Sequence, residues 1–295
     1  MSGMNRRVFL RPCALGLVCL SLGCHLLNLA PAVPDRVEAD PLAAAPKKHG
    51  FRLSQYFFRY DFELKHNLPL FRELADLRDQ VFKELQLPPS NVPIQVYIFE
   101  NRDRYERFMS AKYPDLPRRR AFFVAQAHTV GGPEDLLVYT YWGERLKEDL
   151  RHELTHALLH SVLRDVPLWL DEGLAEYFEV PPECKGTHYQ HLNEIRRGPG
   201  EAFKPDLARL ERLSQVAQMA PAEYRESWAW VHLMLRDRPE AKAVLLGYLR
   251  QLRTSSSPGL LGPRLAAVIP QPNEALANHL ARLDSGISPA PTAQR

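Results

Sequence analysis

The sequence predicts an α+β fold, with strands gathered in the first half of the body and helices in the second. Three observations lead there. Up to about residue 141, short runs rich in β-branched and aromatic residues recur between turn signals. Beyond residue 143, apolar residues return at i, i+4 spacing instead. The composition, 45% hydrophobic and 25% charged over 295 residues, supplies ample material for a core in one large domain or two smaller ones.

The first two dozen residues stand apart from that fold. Arg6 and Arg7 precede an apolar stretch from about Ala14 to Gly23. That stretch is too short to cross a bilayer as a helix and is the right length for the core of an export signal. The string Asn5-Arg6-Arg7-Val8-Phe9-Leu10-Arg11 resembles a twin-arginine signal. Leu20-Ser21-Leu22-Gly23-Cys24 resembles a lipoprotein cleavage box, which would make a lipidated Cys24 the membrane tether; the alternatives are ordinary cleavage near Ala30 or Ala32 and an uncleaved anchor. The expected location is thus a bacterial cell envelope or periplasm. Residues 1–24 form the signal, and 25–50, rich in Pro and Ala, a flexible linker. Cys13, Cys19 and Cys24 all fall in the signal, so Cys184 is the only body cysteine and packing, not disulfides, must hold the fold.

The body is expected over 51–253, followed by a helical segment and disordered tail over 254–295. Residues 51–62 are aromatic and partly alternating, and read as a strand. Leu70, Leu74, Leu77, Val81 and Leu85 recur at helical spacing until Pro88-Pro89. Residues 92–99 are a strand, and Asn101 or Asp103 caps a helix running through Met109. Residues 121–127 and 136–141 are two more strands, joined by a loop holding Gly131-Gly132-Pro133. Leu146, Leu150, Leu154, Leu158 and Val162 mark one side of a helix over 144–163. A turn through Asp165 and Pro167 leads to a helix over 168–179. Helical pattern continues around 188–196, 206–219, 222–236 and 239–252. A formal charge of +3 leaves no case for a nucleic-acid partner, and Arg118-Arg119-Arg120 reads as a solvated turn.

The chemistry concentrates in the helix over 144–163. His152-Glu153-Leu154-Thr155-His156 puts two imidazoles one turn apart, so both project from one face and can bind one metal ion. Glu153 lies between them, within reach of a water that such an ion would polarise. The next helix carries Trp169-Leu170-Asp171-Glu172-Gly173-Leu174-Ala175-Glu176-Tyr177, with Glu172 sixteen residues after His156. Folding that helix back supplies Glu172 as third ligand. Three protein ligands leave a fourth position open, as catalytic zinc sites do and structural ones do not. Glu176, one turn further, is expected to accept a hydrogen bond from the distal nitrogen of a ligand histidine. Asp149 reads equally as an outer partner or as a capping residue, and His160 as outer wall or packing. His188 and His191 sit in an unpatterned stretch and receive no role.

These strings resemble the gluzincin metallopeptidases, and most closely the small bacterial families described as peptidase-MA-like. The motif-level resemblance covers about 144–180, with a similar layout from 51 to about 250. It implies a zincin-like fold: a small mixed sheet, then the active-site helix, a Glu-bearing helix and a mostly helical C-terminal part. It implies one Zn2+ on His152, His156 and Glu172, Glu153 as general base, Glu176 in the outer shell, and a peptide or protein substrate. A strand near the zinc pairs with extended substrate in that clan, and residues 136–141 are the candidate here. Tyr224-Arg225-Glu226-Ser227-Trp228 resembles a segment that follows the zinc helices in the same families, which makes Tyr224 the expected oxyanion donor and His232 the alternative. The string of the aminopeptidases, Gly-Ala-Met-Glu-Asn, is missing. Two other readings use the same residues: a catalytically silent zinc-bearing module for binding or assembly in the envelope, and a zinc amidase acting on a non-peptide amide. The presence of Glu153, which serves catalysis and not ligation, favours an enzyme.

Overall fold

The computed structural model describes residues 44–66, 68–127, 134–197, 203–255 and 258–283. The signal with Cys24, the linker as far as residue 43, Gly131-Gly132-Pro133 and the tail from 284 lie outside the described residues. The chain forms a mixed α+β structure in the predicted order: five strands interleaved with two helices, then a helical remainder.

The strands are β1 (His49–Leu53), β2 (Tyr56–Tyr60), β3 (Ile94–Phe99), β4 (Phe122–Ala127) and β5 (Glu134–Tyr141). They form one sheet in the order β1-β2-β3-β5-β4. β2, β3 and β5 run parallel, while β1 and β4 pair antiparallel at the two edges. The run 51–62, expected as one strand, is a hairpin. Ser54 adopts φ 54° at its turn, so the chain reverses there and the aromatic residues divide between β1 and β2. Residues 136–141 are not the substrate-pairing strand either. β5 is hydrogen-bonded to β3 on one side and β4 on the other, so its backbone groups are already paired. Among the described residues, the free edge on that side belongs to β4.

Alternation along β5 sends side chains to two cores. Leu136 and Val138 join the main core, while Leu137 and Tyr139 join a smaller cluster with Phe99, Phe108 and Phe122. Helix α2 (Arg102–Lys112) covers the smaller cluster. Asn101 caps it by accepting a hydrogen bond from Arg104 N at 3.1 Å, as one of the two expected caps. The opposite face carries α1 (Pro69–Glu84) and α3 (Leu146–His160). Leu146, Leu150, Leu154 and Leu158 of α3 are all buried there.

A turn at residues 161–167, with Asp165 at φ 38°, leads from α3 into α4 (Leu168–Glu179). Arg151 on α3 is almost fully buried and holds the far end of α4, donating to the carbonyls of Glu179 and Val180 at 2.9 and 2.8 Å. A cation among the last carbonyls of a helix also meets the negative end of its dipole. After α5 (Tyr189–Arg197), the predicted helix over 206–219 shrinks to α6 (Leu207–Leu210) and a single turn at Val216–Gln218. Asp206 caps α6 by accepting from Arg209 N, and beyond it Gln218 takes the Ser214 and Gln215 N–H groups that a continuing helix would need.

Helix α7 (Pro221–Arg236) then packs directly on α4. Gly173 makes the approach feasible, since a Cβ there would stand 2.6 Å from the carbonyl oxygen of Ser227. α8 (Pro239–Leu252), α9 (Gly262–Ala266) and α10 (Pro272–Arg282) complete the helical part. Among the described residues no helix is long and apolar enough to cross a membrane.

Candidate metal centre

Helices α3 and α4 bring the three expected ligands to one point. Nε2 of His152 and Nε2 of His156 lie 3.2 Å apart. Oε2 of Glu172 is 3.5 Å from the first and 3.6 Å from the second. Tetrahedral zinc, with ligand atoms about 2.0–2.1 Å away, separates those atoms by about 3.3–3.4 Å. The triangle therefore has the size that such an ion requires. Glu172 Oε2 is also buried without any hydrogen-bond partner, an orphan that a cation would satisfy.

The surrounding charge favours a cation too. Burial would lower the pKa of His152 and His156, but the carboxylates of Glu172 and Glu179 around the first, and of Asp171 and Glu172 around the second, raise both. Burial would raise that of Glu172, and the two histidines 3.5 and 3.6 Å away hold it at about 2 instead. The pocket thus stabilises positive charge at these imidazoles. Glu153 behaves differently. Burial dominates and raises its pKa despite the nearby histidines, the direction that suits a general base.

The far sides of the ligand rings are held by carboxylates, though not by the expected one. Nδ1 of His152 is hydrogen-bonded to Glu179 Oε2 at 3.1 Å. Nδ1 of His156 lies 3.2 Å from Asp171 Oδ1, off the line of an ideal hydrogen bond, and neither atom has another partner. Asp171 is itself anchored by His160 Nε2 at 2.9 Å. Glu176 takes no such part: its Oε2 is hydrogen-bonded to His191 Nε2 at 2.9 Å. The reason is the antiparallel run of α3 and α4. Asp171 meets His160 and His156, Glu172 meets His156 and His152, and Glu179 meets His152. Contacts move back along α3 as α4 advances, and Glu179, not Glu176, falls level with His152. No local signal chose between them, since Glu176 and Glu179 both stand on the helix face of Glu172.

Tyr224, at the start of α7, is half-buried beside the centre. Its hydroxyl oxygen accepts a hydrogen bond from Arg119 Nη2 at 2.6 Å. Burial and the charge of Glu172 raise its pKa to about 12, so it keeps its proton and can donate. Arg119 is also within electrostatic reach of Glu172 and Glu153. The reading of Arg118-Arg119-Arg120 as a solvated turn is thereby corrected for Arg119, while Arg118 and Arg120 are exposed as expected. Arg119 faces the site, and Arg120 is paired with Asp149 at 2.8 Å, tying the start of β4 to α3. Phe123 of β4 stacks on the His156 ring with centroids 6.1 Å apart, so the free sheet edge runs past the centre. His232 does not reach it. That ring is hydrogen-bonded to Thr187 and His279 in the core between α7 and α10. No protein-family model and no curated protein matches the chain, and the chemistry must be read from these side chains.

Proposed function

We propose that the protein is a zinc-dependent peptidase of the gluzincin kind, with a zincin-like arrangement of sheet and helices. What carries the reading is the convergence of His152, His156 and Glu172 on a triangle of tetrahedral-zinc size, with Glu153 beside it and bearing a carboxylate that is no part of the triangle. When bound, zinc would act there as a Lewis acid, bringing a water's pKa toward neutrality and polarising the substrate carbonyl.

The chain's own residues divide the remaining work. Glu153 takes the proton from the attacking water and returns it to the leaving amine. Tyr224 gives its hydroxyl proton as a hydrogen bond to the oxyanion, because its oxygen is already engaged by Arg119. Arg119 orients that hydroxyl and adds positive charge where negative charge develops. The edge of β4 offers backbone groups for an extended peptide, the role expected of β5. Export and tethering through Cys24 would place this activity in the cell envelope.

A peptide-library digest with and without a chelator tests the reading, beside the Glu153→Gln variant. The expected result is chelator-sensitive cleavage by the native protein, and a variant that keeps its zinc while losing at least about 100-fold in turnover. Undiminished cleavage by Glu153→Gln would exclude the mechanism. Zinc uptake without any cleavage would favour a silent binding module.

A further inference from the structure

Helix α10 is fastened to the body by a line of hydrogen bonds that runs through two buried histidines. Asp237, just past the end of α7, lies 3.2 Å from Nδ1 of His279 on α10. Nε2 of His279 lies 2.8 Å from Nδ1 of His232 on α7, and Nε2 of His232 lies 3.3 Å from Oγ1 of Thr187. Both rings are buried, with only 2% of His232 and 5% of His279 exposed. The middle contact therefore joins two helices out of reach of water. The end of α10 has a second fastening, in which Arg196 of α5 donates to the carbonyls of Leu280, at 2.8 Å, and of Leu283. α5 also carries His191, the partner of Glu176 near the metal centre. α10 thus braces a helix that stands beside the site.

The hydrogens available decide what this line tolerates. A neutral imidazole has one N–H and one lone pair. With both rings neutral, Nδ1–H of His279 donates to Asp237, Nδ1–H of His232 donates to Nε2 of His279, and the Thr187 hydroxyl donates to Nε2 of His232. Each contact then holds one hydrogen. One added proton fits on His279 against Asp237, if His232 moves its own from Nδ1 to Nε2 and Thr187 becomes the acceptor. A second proton leaves N–H facing N–H across 2.8 Å, and the bond becomes a repulsion between two cations.

The neighbours give protonation little help. Asp237 is the acid that faces the pair, and Arg238 and Arg282 already bond to it at 2.8 and 2.7 Å. Arg236, paired with Glu84 at 3.8 Å, adds positive charge at the His232 end. From α4, Tyr177 packs on His232, and burial keeps its phenol protonated. His188 shares with His232 a contact on Trp228. Burial outweighs Asp237 and lowers the pKa of His279, and burial with His279 and Arg236 holds that of His232 at about 3. A recess of about 180 Å³ lined by Arg238, Asn278 and Arg282 brings solvent to the Asp237 end.

We propose that His232 and His279 form an acid-operated latch: as neutral rings they fasten α10 to α7, and as two cations they release it, so that α5 loses its brace. The inference goes beyond the peptidase reading and does not depend on it. Its sign follows from linkage. The released rings take up protons near pH 6.5 and the fastened ones do not, so the fastening is complete above 6.5 and is lost as pH falls. One net proton taken up on release raises the opening equilibrium about 25-fold between pH 7 and 5, and two raise it about 600-fold.

Amide hydrogen exchange of the full chain at pH 7 and pH 5 tests the latch, read as protection factors so that the pH dependence of the chemical exchange step cancels. Residues 272–282 should lose at least about 25-fold in protection at pH 5, while α1 and α8 keep theirs. The double variant His232→Gln with His279→Gln should show the same α10 protection at both pH values. Unchanged protection over α10 in the native chain, or an equal loss in α1 and α8, would overturn the inference. A second measurement needs no variant: nitrogen NMR of the native chain labelled at histidine. At pH 7 both rings should carry their proton on Nδ1, and both should titrate below the free value near 6.5. Free titration near 6.5, or both protons on Nε2, would reject the latch whatever the variant does.

Discussion

Replacing Asp171 by Asn separates the two accounts of how the ligand rings are held. In the folded protein, Asp171 sits 3.2 Å from Nδ1 of His156 and 2.9 Å from Nε2 of His160, with its side chain only 15% exposed. The two histidines overcome the cost of burial and hold its carboxyl well below the usual range. Asn keeps the shape and removes the charge. Its amide can also turn its NH2 toward Nδ1 of His156, which stabilises the tautomer with the proton on Nε2, the nitrogen needed for the metal. A charge-assisted hydrogen bond is worth about 1.5–3 kcal/mol. Loss of an outer partner of a ligand histidine typically costs about 10–100-fold in metal affinity, or about 1.4–2.7 kcal/mol. The two ranges agree. Competition titration against a chromophoric zinc chelator should therefore place Asp171→Asn about 10–100-fold weaker than the native chain. Glu179→Gln should fall in the same range through His152. Glu176→Gln should shift zinc affinity less than about 3-fold, since Glu176 is hydrogen-bonded to His191 and not to a ligand. Native affinity in Asp171→Asn, or a loss in Glu176→Gln equal to it, would refute this account.

Other expectations follow from the same geometry. Tyr224→Phe should lower kcat by about 100–1000-fold, the effect of removing one oxyanion donor, with KM changed little; a variant with native kcat would take Tyr224 out of the reaction. Gly173→Ala puts a Cβ 2.6 Å from Ser227 O and 2.8 Å from Ser227 C, which are backbone and cannot swing aside. The gain in helix propensity, about 1 kcal/mol, is smaller than an overpacking cost of up to about 3 kcal/mol. Urea unfolding should show net destabilisation, and a stabilised variant would mean that α4 and α7 are not in contact there. Acid should weaken the core through His232, whose pKa burial, His279 and Arg236 hold down at about 3. The unfolded chain takes up that proton near pH 6.5 and the folded chain does not. The contribution is thus present above 6.5 and is lost as pH falls, by about 1.4 kcal/mol per unit. His232→Gln should flatten the loss of stability between pH 7 and 5 by about 2 kcal/mol; parallel slopes would refute it.

What the sequence made legible was whatever a local pattern encodes. The stripe from Leu146 to Leu158 and the spacing of His152 and His156 are properties of one helix, and both appear as read. Glu172 needed only the assumption that the next helix folds back. The errors around the site share a cause: each concerned a fact about pairing. Residues 136–141 look like any strand, and nothing in them says that β4, entering antiparallel, will cover their open side. Arg119 looks like its neighbours Arg118 and Arg120, and only the arrival of Tyr224, 105 residues later, distinguishes it. Glu176 and Glu179 are equally acidic, and the choice between them depends on how far α4 has slid along α3. Residue type and period carry no information about that slide.

The three consecutive residues Asp171, Glu172 and Gly173 show why this short string carries so much of the site. Successive positions on a helix point about 100° apart. Asp171 and Glu172 therefore diverge, and the ring of His156 lies across the divergence: Asp171 meets its Nδ1 at 3.2 Å and Glu172 approaches its Nε2 at 3.6 Å. Both ends of one imidazole thus face neighbouring carboxylates on the facing helix. Gly173 points another 100° on, where α7 crosses closely enough to leave no room for a Cβ. That crossing brings the start of α7, and with it Tyr224, to the metal side of the molecule. A residue larger than glycine would push α7 outward and move Tyr224 from the centre without touching a ligand. On the proposed function, the orientation of a ligand, the ligand itself and the approach of the oxyanion donor would all be set by one turn of helix, and substitutions at these positions should separate into distinct losses of zinc affinity, zinc binding and kcat.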